Sequence, residues 1–191
     1  MSSWFAPTFS ATKCKPQLKM AIQRVLIKTN KEKQKMMKDK KSIAKLLSEN
    51  KEEKARIRTE AVVRGDFKLE ALDILSLLCE LLHERMGLIS SLKECPPDMT
   101  ASIATLIWAA PRTEIPEFVN IAKLFKAKYG PAFFQRAQRN TDGIVNEQII
   151  NKLSVQPPNA FLVLRYMKAI AKANGVNWNP SEKLDDTSLN Q

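Results

Sequence analysis

Residues 17–48, QLKMAIQRVLIKTNKEKQKMMKDKKSIAKLLS, decide the fold. Arg24, Lys28, Lys31, Lys35, Lys38, Lys41 and Lys45 recur there every three or four residues, so at helical pitch they share one side of one helix. Leu18, Ile22, Val25, Met36, Ile43 and Leu47 fall on the opposite side. Such a helix has an apolar edge to bury and a cationic edge to present. At 1.5 Å rise per residue it is ~50 Å long. Pro16 suits its first turn, where a missing N–H costs nothing, and Asn50 is the first credible break.

Working outward, a second long helix is expected from Glu52 to Leu92, with Ile57, Ala61, Leu72, Leu75, Leu78, Leu82 and Ile89 as apolar positions. So short a connection between two long helices makes an antiparallel hairpin. Arg56, Glu60 and Arg64 form a ladder at four-residue spacing, worth tenths of a kcal/mol per pair. From Leu69 to Leu82 this helix is apolar on more than one face and needs cover from two sides. Shorter helices supply candidates. One runs from Met99 to Ala109, capped by Asp98 and closed by Pro111. Others run from Glu117 to Tyr129, stopped by Gly130, from Pro131 to Arg139, from Val145 to Leu153 and from Ala160 to Ala173. Leu106, Ile107, Trp108, Phe118, Leu124 and Phe125 are expected to cover the Leu69–Leu82 face, as are Phe161, Leu162, Leu164, Tyr166, Met167 and Ile170 of the last helix. The fold class is all-α: a single helical domain over 13–180, with a flexible leader at 1–12 and a polar tail at 181–191 that lacks periodicity.

Charge narrows the function. The chain of 191 residues carries a net charge of +11. Residues 13–45 alone hold twelve Lys or Arg against Glu32 and Asp39, leaving 46–191 nearly neutral. A field concentrated in this way points to a polyanion: an acidic membrane surface, nucleic acid or an acidic protein face. Trp4, Phe5 and Phe9 lie just upstream, as a wedge for a membrane or partner or as a leader folded back on the domain. No run of ~20 apolar residues makes a membrane-spanning helix, and the N-terminus does not read as a secretory signal. Cys14, Cys79 and Cys95 lack metal-ligand spacing and read as reduced thiols in a cytosolic protein. His83 is the single histidine. There is no phosphate loop, dinucleotide fingerprint or nucleophile elbow, so no enzyme, cofactor or metal is expected. The alternative class is a basic helical nucleic-acid-binding protein. Against it, no aromatics interleave with the lysines to stack bases, and Arg24 is the one arginine in the stripe.

Several ordered stretches resemble a known family. They are Ala55-Arg56-Ile57-Arg58-Thr59-Glu60, then Arg64, Asp66, Glu70-Ala71, Ile74-Leu75, Cys79, Leu81-Leu82, Arg85 and Gly87-Leu88-Ile89. Thr105-Leu106-Ile107-Trp108-Ala109-Ala110-Pro111-Arg112 is the most specific. Ala127-Lys128-Tyr129, Val145-Asn146, Lys152-Leu153-Ser154-Val155 and Ile170-Ala171-Lys172 complete the pattern. Together they resemble the N-terminal domain of the increased-sodium-tolerance proteins, ESCRT-III-like regulators of the multivesicular body pathway. The resemblance implies a long hairpin with the last helix, Ala160–Ala173, folded onto it. It implies a non-enzymatic subunit of endosomal sorting and cytokinetic abscission, cytoplasmic and recruited peripherally to endosomes or the midbody. Its implied partners are charged multivesicular body proteins and the MIT-domain AAA ATPase that disassembles their filaments, with self-assembly possible. The family's usual C-terminal ATPase-binding helix has no counterpart in Ser181–Gln191, which is not leucine-rich. Whether the basic stripe meets a membrane or a sibling subunit stays open at this level.

Overall fold

The computed structural model describes residues 8–181, all of its regular structure helical. The helices are α1 (Ala11–Ser48), α2 (Glu52–Glu84), α3 (Met86–Ser91), α4 (Pro97–Ala109), α5 (Pro116–Arg139, broken at Gly130), α6 (Glu147–Lys152) and α7 (Ala160–Ala173). A short 3₁₀ turn, Ala110–Arg112, follows α4. Pro111 ends α4 as expected, and Asn50 ends α1. Asn50 takes a left-handed φ of 55°, its N–H reaching Leu47 O while that of Lys51 reaches Leu46 O. The same closure recurs at Asn140 and at Gly175.

Four boundaries differ from the sequence expectation. Helix α1 starts at Ala11, not Gln17, with Pro16 inside it. Cys14 and Leu18 lie one turn apart on the same face and are both fully buried, which draws the helix toward the N-terminus. The Ser10 carbonyl accepts from the N–H groups of Lys13 and Cys14. The second long helix stops at Glu84, where Arg85 leaves helical geometry (ψ 7°) and α3 restarts at Met86. Asp98 does not cap α4. That helix begins at Pro97, and Asp98 lies in its first turn, where a carboxylate favours the helix dipole. The helix expected from Val145 is α6, starting at Glu147, with Asn146 Oδ1 accepting from Ile149 N–H at 3.1 Å.

The residues group into two compact units, 8–29 with 68–154, and 30–67 with 155–181. In the first unit, Cys14, Leu18, Ala21 and Val25 of α1 join Leu72, Leu75, Cys79 and Leu82 of α2 in one core. Leu106, Ile107, Trp108, Phe118 and Phe125 complete it, with Leu124 partly buried against it, as expected of the cover. Leu106–Ala110 of the Thr105–Arg112 segment belong to this core, while Pro111 and Arg112 are exposed. Residues 103–110 are all buried, and Arg112 donates to the Trp108 carbonyl while its guanidinium lies 3.8 Å from the Trp108 ring centre. Thr105 Oγ1 donates to Ala101 O and accepts from Asn146 N–H at 3.0 Å, so two stretches far apart in sequence meet at one hydroxyl. Burial pushes the Cys14 and Cys79 thiols up to about 12, which keeps them protonated and inert.

Gly130 has φ 84° and ψ 168°, a region open essentially to glycine alone. It lets α5 turn sharply before Pro131. Gly130→Ala is therefore expected to cost ~1–3 kcal/mol, measured as a lower midpoint in urea unfolding. An unchanged midpoint would show that the backbone relaxes there without strain.

In the second unit the tip halves of α1 and α2 run antiparallel. Arg58 donates to Ser42 Oγ, and a Cβ built on Gly65 would lie 3.2 Å from Met36 Sδ. Met36, Ile43, Ala44 and Leu47 on one helix, and Ala55, Val62 and Val63 on the other, are buried. Helix α7 belongs to this unit and is not part of the Leu69–Leu82 cover that the sequence reading assigned it. The reason is register: periodicity tells which face of α7 is apolar, not which half of a long hairpin it reaches.

Candidate functional site

The cationic edge of α1 divides into two parts with different chemistry. At its base, in the first unit, Arg24 Nε donates to both carboxylate oxygens of Glu117 at 2.6 Å. The Glu117 side chain is 6% exposed. Burial pushes its pKa up, but the hydrogen bond from Arg24 and the helix N-terminal N–H outweigh this and hold it below the usual carboxylate range. Lys28 and Lys68 together grip Glu114, Lys68 at 3.1 Å. These two cations lower the Glu114 pKa to about 2. Glu114 and Glu117 flank Pro116 at the start of α5, so this turn neutralises the lower end of the stripe.

Lys31, Lys35, Lys38 and Lys41 are different. All four are exposed, and none has an ion-pair partner among the described residues. Lys45 is exposed too and has one distant contact, 4.0 Å to Glu49. The seven cations grouped by periodicity thus resolve into two that brace the fold and five in the tip half of α1 that point to solvent. The signal for this division lies in Glu114-Ile115-Pro116-Glu117, two acids three residues apart at a helix start, which read locally as dipole partners and gave no hint of α1.

The Glu114 clamp has a pH signature. A carboxyl whose folded pKa lies below its ordinary value of 4.5 contributes stability above that value and loses it as pH falls toward about 2. Glu114→Gln should lower the melting temperature slightly at pH 7, with the difference from the unaltered protein vanishing by about pH 2. A deficit that persists undiminished at low pH would mean that the loss is steric, not ionic.

Helix α7 presents Val163, Met167, Ile170 and Ala171 as its buried face, with Phe161 and Leu164 half-buried. Val163 and Ala171 are buried here in addition to the residues named from sequence. Asn159 caps α7 by accepting from Phe161 N–H at 2.8 Å, and Ser181 beyond its far end donates to Glu52 at 3.0 Å. A cavity of about 550 Å³ lies beside α7, lined by Lys40, Asp66, Leu162, Tyr166 and Ile170 among others. Phe9 is half-buried against the core of the first unit, its ring stacked 6.4 Å from Phe125 and capped by Lys128 Nζ at 5.1 Å. Trp4 and Phe5 lie outside the described residues. Among the described residues no cluster of His, Cys, Asp and Glu could hold a metal, and no helix is long and apolar enough to cross a membrane.

A helical hairpin of this kind, carrying a basic first helix and a final helix packed on its tip half, defines an ESCRT-III-like domain. Residues 15–177 match the Ist1 family, described as regulators of Vps4 activity in the MVB pathway, and the chain belongs to that family. It is similar to an IST1-like protein of Dictyostelium discoideum, 36% identical over 178 residues that cover 93% of this chain and 48% of that protein. It is 34% identical over 185 residues to the vacuolar protein sorting-associated protein IST1 of Saccharomyces cerevisiae, covering 92% of this chain and 60% of that one. The chain spans about half the length of these curated relatives. The crystal structure of the S. cerevisiae Ist1 N-terminal domain, in complex with a Did2 MIM motif, has a TM-score of 0.82 at 30% identity. The match covers 92% of this chain and 98% of that one.

Proposed function

We propose that this chain is a non-enzymatic ESCRT-III-like subunit that binds other ESCRT-III subunits. It regulates their filament assembly and disassembly in endosomal sorting, multivesicular body formation and cytokinetic abscission. The observation that carries the reading is the unpaired, exposed row Lys31, Lys35, Lys38 and Lys41 on a helix long enough to hold it rigid. Like charges on one helix face repel by tenths of a kcal/mol per pair, and here no acid offsets them. Each lysine close to an anionic leaflet contributes about 1 kcal/mol. The row thus serves as a contact for acidic membrane or for the acidic face of a neighbouring subunit. The yeast domain's complex with a Did2 MIM motif supports a protein partner for this domain, and the family resemblance makes a charged multivesicular body protein the expected one. The family's description supports a functional link to an MIT-domain AAA ATPase. The protein then works in the cytoplasm at endosomal surfaces.

The test mixes the purified chain with a charged multivesicular body protein, acidic liposomes and a competing oligonucleotide, and follows sedimentation and electron micrographs. Ordered polymers on liposomes that the oligonucleotide fails to displace are expected. Preferential capture by the oligonucleotide without polymers would favour the nucleic-acid reading instead.

A further inference from the structure

The face of α2 and α3 in the first unit carries a second pattern. Leu77 is 62% exposed, and Leu81 and Leu88 are also open to solvent. Leu77 and Leu81 share one side of α2, four residues apart, and Leu88 follows on α3. Asp73, Glu80 and Glu84 alternate with them on that side. Asp73 and Glu80 have no ion-pair partner among the described residues, and Glu84 is touched only by the neighbouring His83 ring at 3.2 Å. Three uncovered leucines interleaved with three carboxylates do not suit water, nor a wholly apolar partner helix, which would strand the acids. They suit long side chains with apolar stems and cationic tips, which is lysine chemistry.

The matching row is present on the same chain. Lys31 and Lys38 are seven residues apart, as are Asp73 and Glu80, so each pair spans ~10.5 Å along its helix. Lys35 and Lys41 fall between and beyond them, as Leu77, Leu81 and Glu84 do on α2. We propose that the acid-and-leucine face Asp73–Leu88 is a docking surface for the lysine row of a second copy of this chain. The lysine stems cover Leu77 and Leu81 while their ammonium groups meet Asp73, Glu80 and Glu84. The contact pairs two unlike surfaces, so it is heterologous, and it builds open filaments where its rotation does not close into a ring. This inference rests on the lysine row being a contact surface, and it names which face receives the row.

Charge exchange tests it. Asp73→Lys with Glu80→Lys makes one variant. Lys31→Glu with Lys35→Glu and Lys38→Glu makes the other. Sedimentation without lipid is expected to show self-assembly of the unaltered protein and about a tenfold or greater loss in each variant alone. An equal mixture of the two should assemble again, because each reversed surface then faces an opposite charge. The Asp73/Glu80 variant should still bind acidic liposomes, whereas the lysine variant should not. The milder pair Asp73→Asn with Glu80→Gln should give a partial loss and guards against misfolding, with circular dichroism melting as the check. The contact is overturned if the unaltered protein does not self-assemble, if the Asp73/Glu80 variants assemble normally, or if mixing fails to restore assembly. Loss of liposome binding in the lysine variant under those outcomes would leave the proposed function standing and remove only the self-contact.

Discussion

Replacing Lys31, Lys35 and Lys38 together by Glu is expected to abolish sedimentation with acidic liposomes. The three lysines are exposed and make no ion pair among the described residues, so nothing in the fold depends on them. Loss of three contributions of about 1 kcal/mol each lowers membrane affinity about a hundredfold before the repulsion of the new carboxylates is counted. Stability should change by less than ~0.5 kcal/mol per exposed site, so the melting temperature reports independently that the fold is intact. The contrast is with Arg24. Arg24→Glu would oppose the buried Glu117 carboxylate directly, and is expected to lower the melting temperature whatever it does to binding. A triple variant that binds liposomes normally would remove the role given to the row.

The second large effect is expected at α7. Met167 is 1% exposed at the centre of its buried face. Truncating a buried Met costs 2–5 kcal/mol, and an unpaired buried carboxylate adds the penalty of its desolvation. Met167→Asp should therefore release α7. Hydrogen exchange over 160–173 should lose its protection, and proteolysis in the segment 154–159, where Val155 is 96% exposed, should accelerate. The core of the first unit contains no residue of α7, so its exchange protection should persist. Lys168→Asp, on the exposed face of the same helix, is the control and should leave α7 protected. Protection of α7 unchanged in Met167→Asp would mean that the helix is held by something other than this face.

Much of this architecture is legible in the chain alone, for identifiable reasons. Helix α1 announces itself because its apolar and cationic positions keep one period across four heptads. Asn50, Pro116, Asn159 and Gly175 sit where backbone chemistry ends or starts a helix, and the helices obey them. Less legible is anything set by contact across the chain. The break at Arg85 interrupts an apolar period that runs on through Ile89. Pro16 looks like a first-turn residue until burial of Cys14 extends the helix past it. The lysine row looks uniform from Arg24 to Lys45 because periodicity counts charges and cannot see Glu114 and Glu117 arriving from α5. For the same reason, the assignment of α7 to the tip half of the hairpin is invisible in its own amphipathic pattern. The Thr105–Arg112 motif is specific in sequence, but its roles become plain only when Asn146 and the Trp108–Arg112 stack are in place.

The most direct measurement is electron microscopy of the purified chain with a charged multivesicular body protein on acidic liposomes, unaltered and with Lys31, Lys35 and Lys38 reversed to Glu. Ordered polymers with the unaltered chain and none with the reversed row are predicted. Polymers of equal abundance in both, or none in either, would contradict the account.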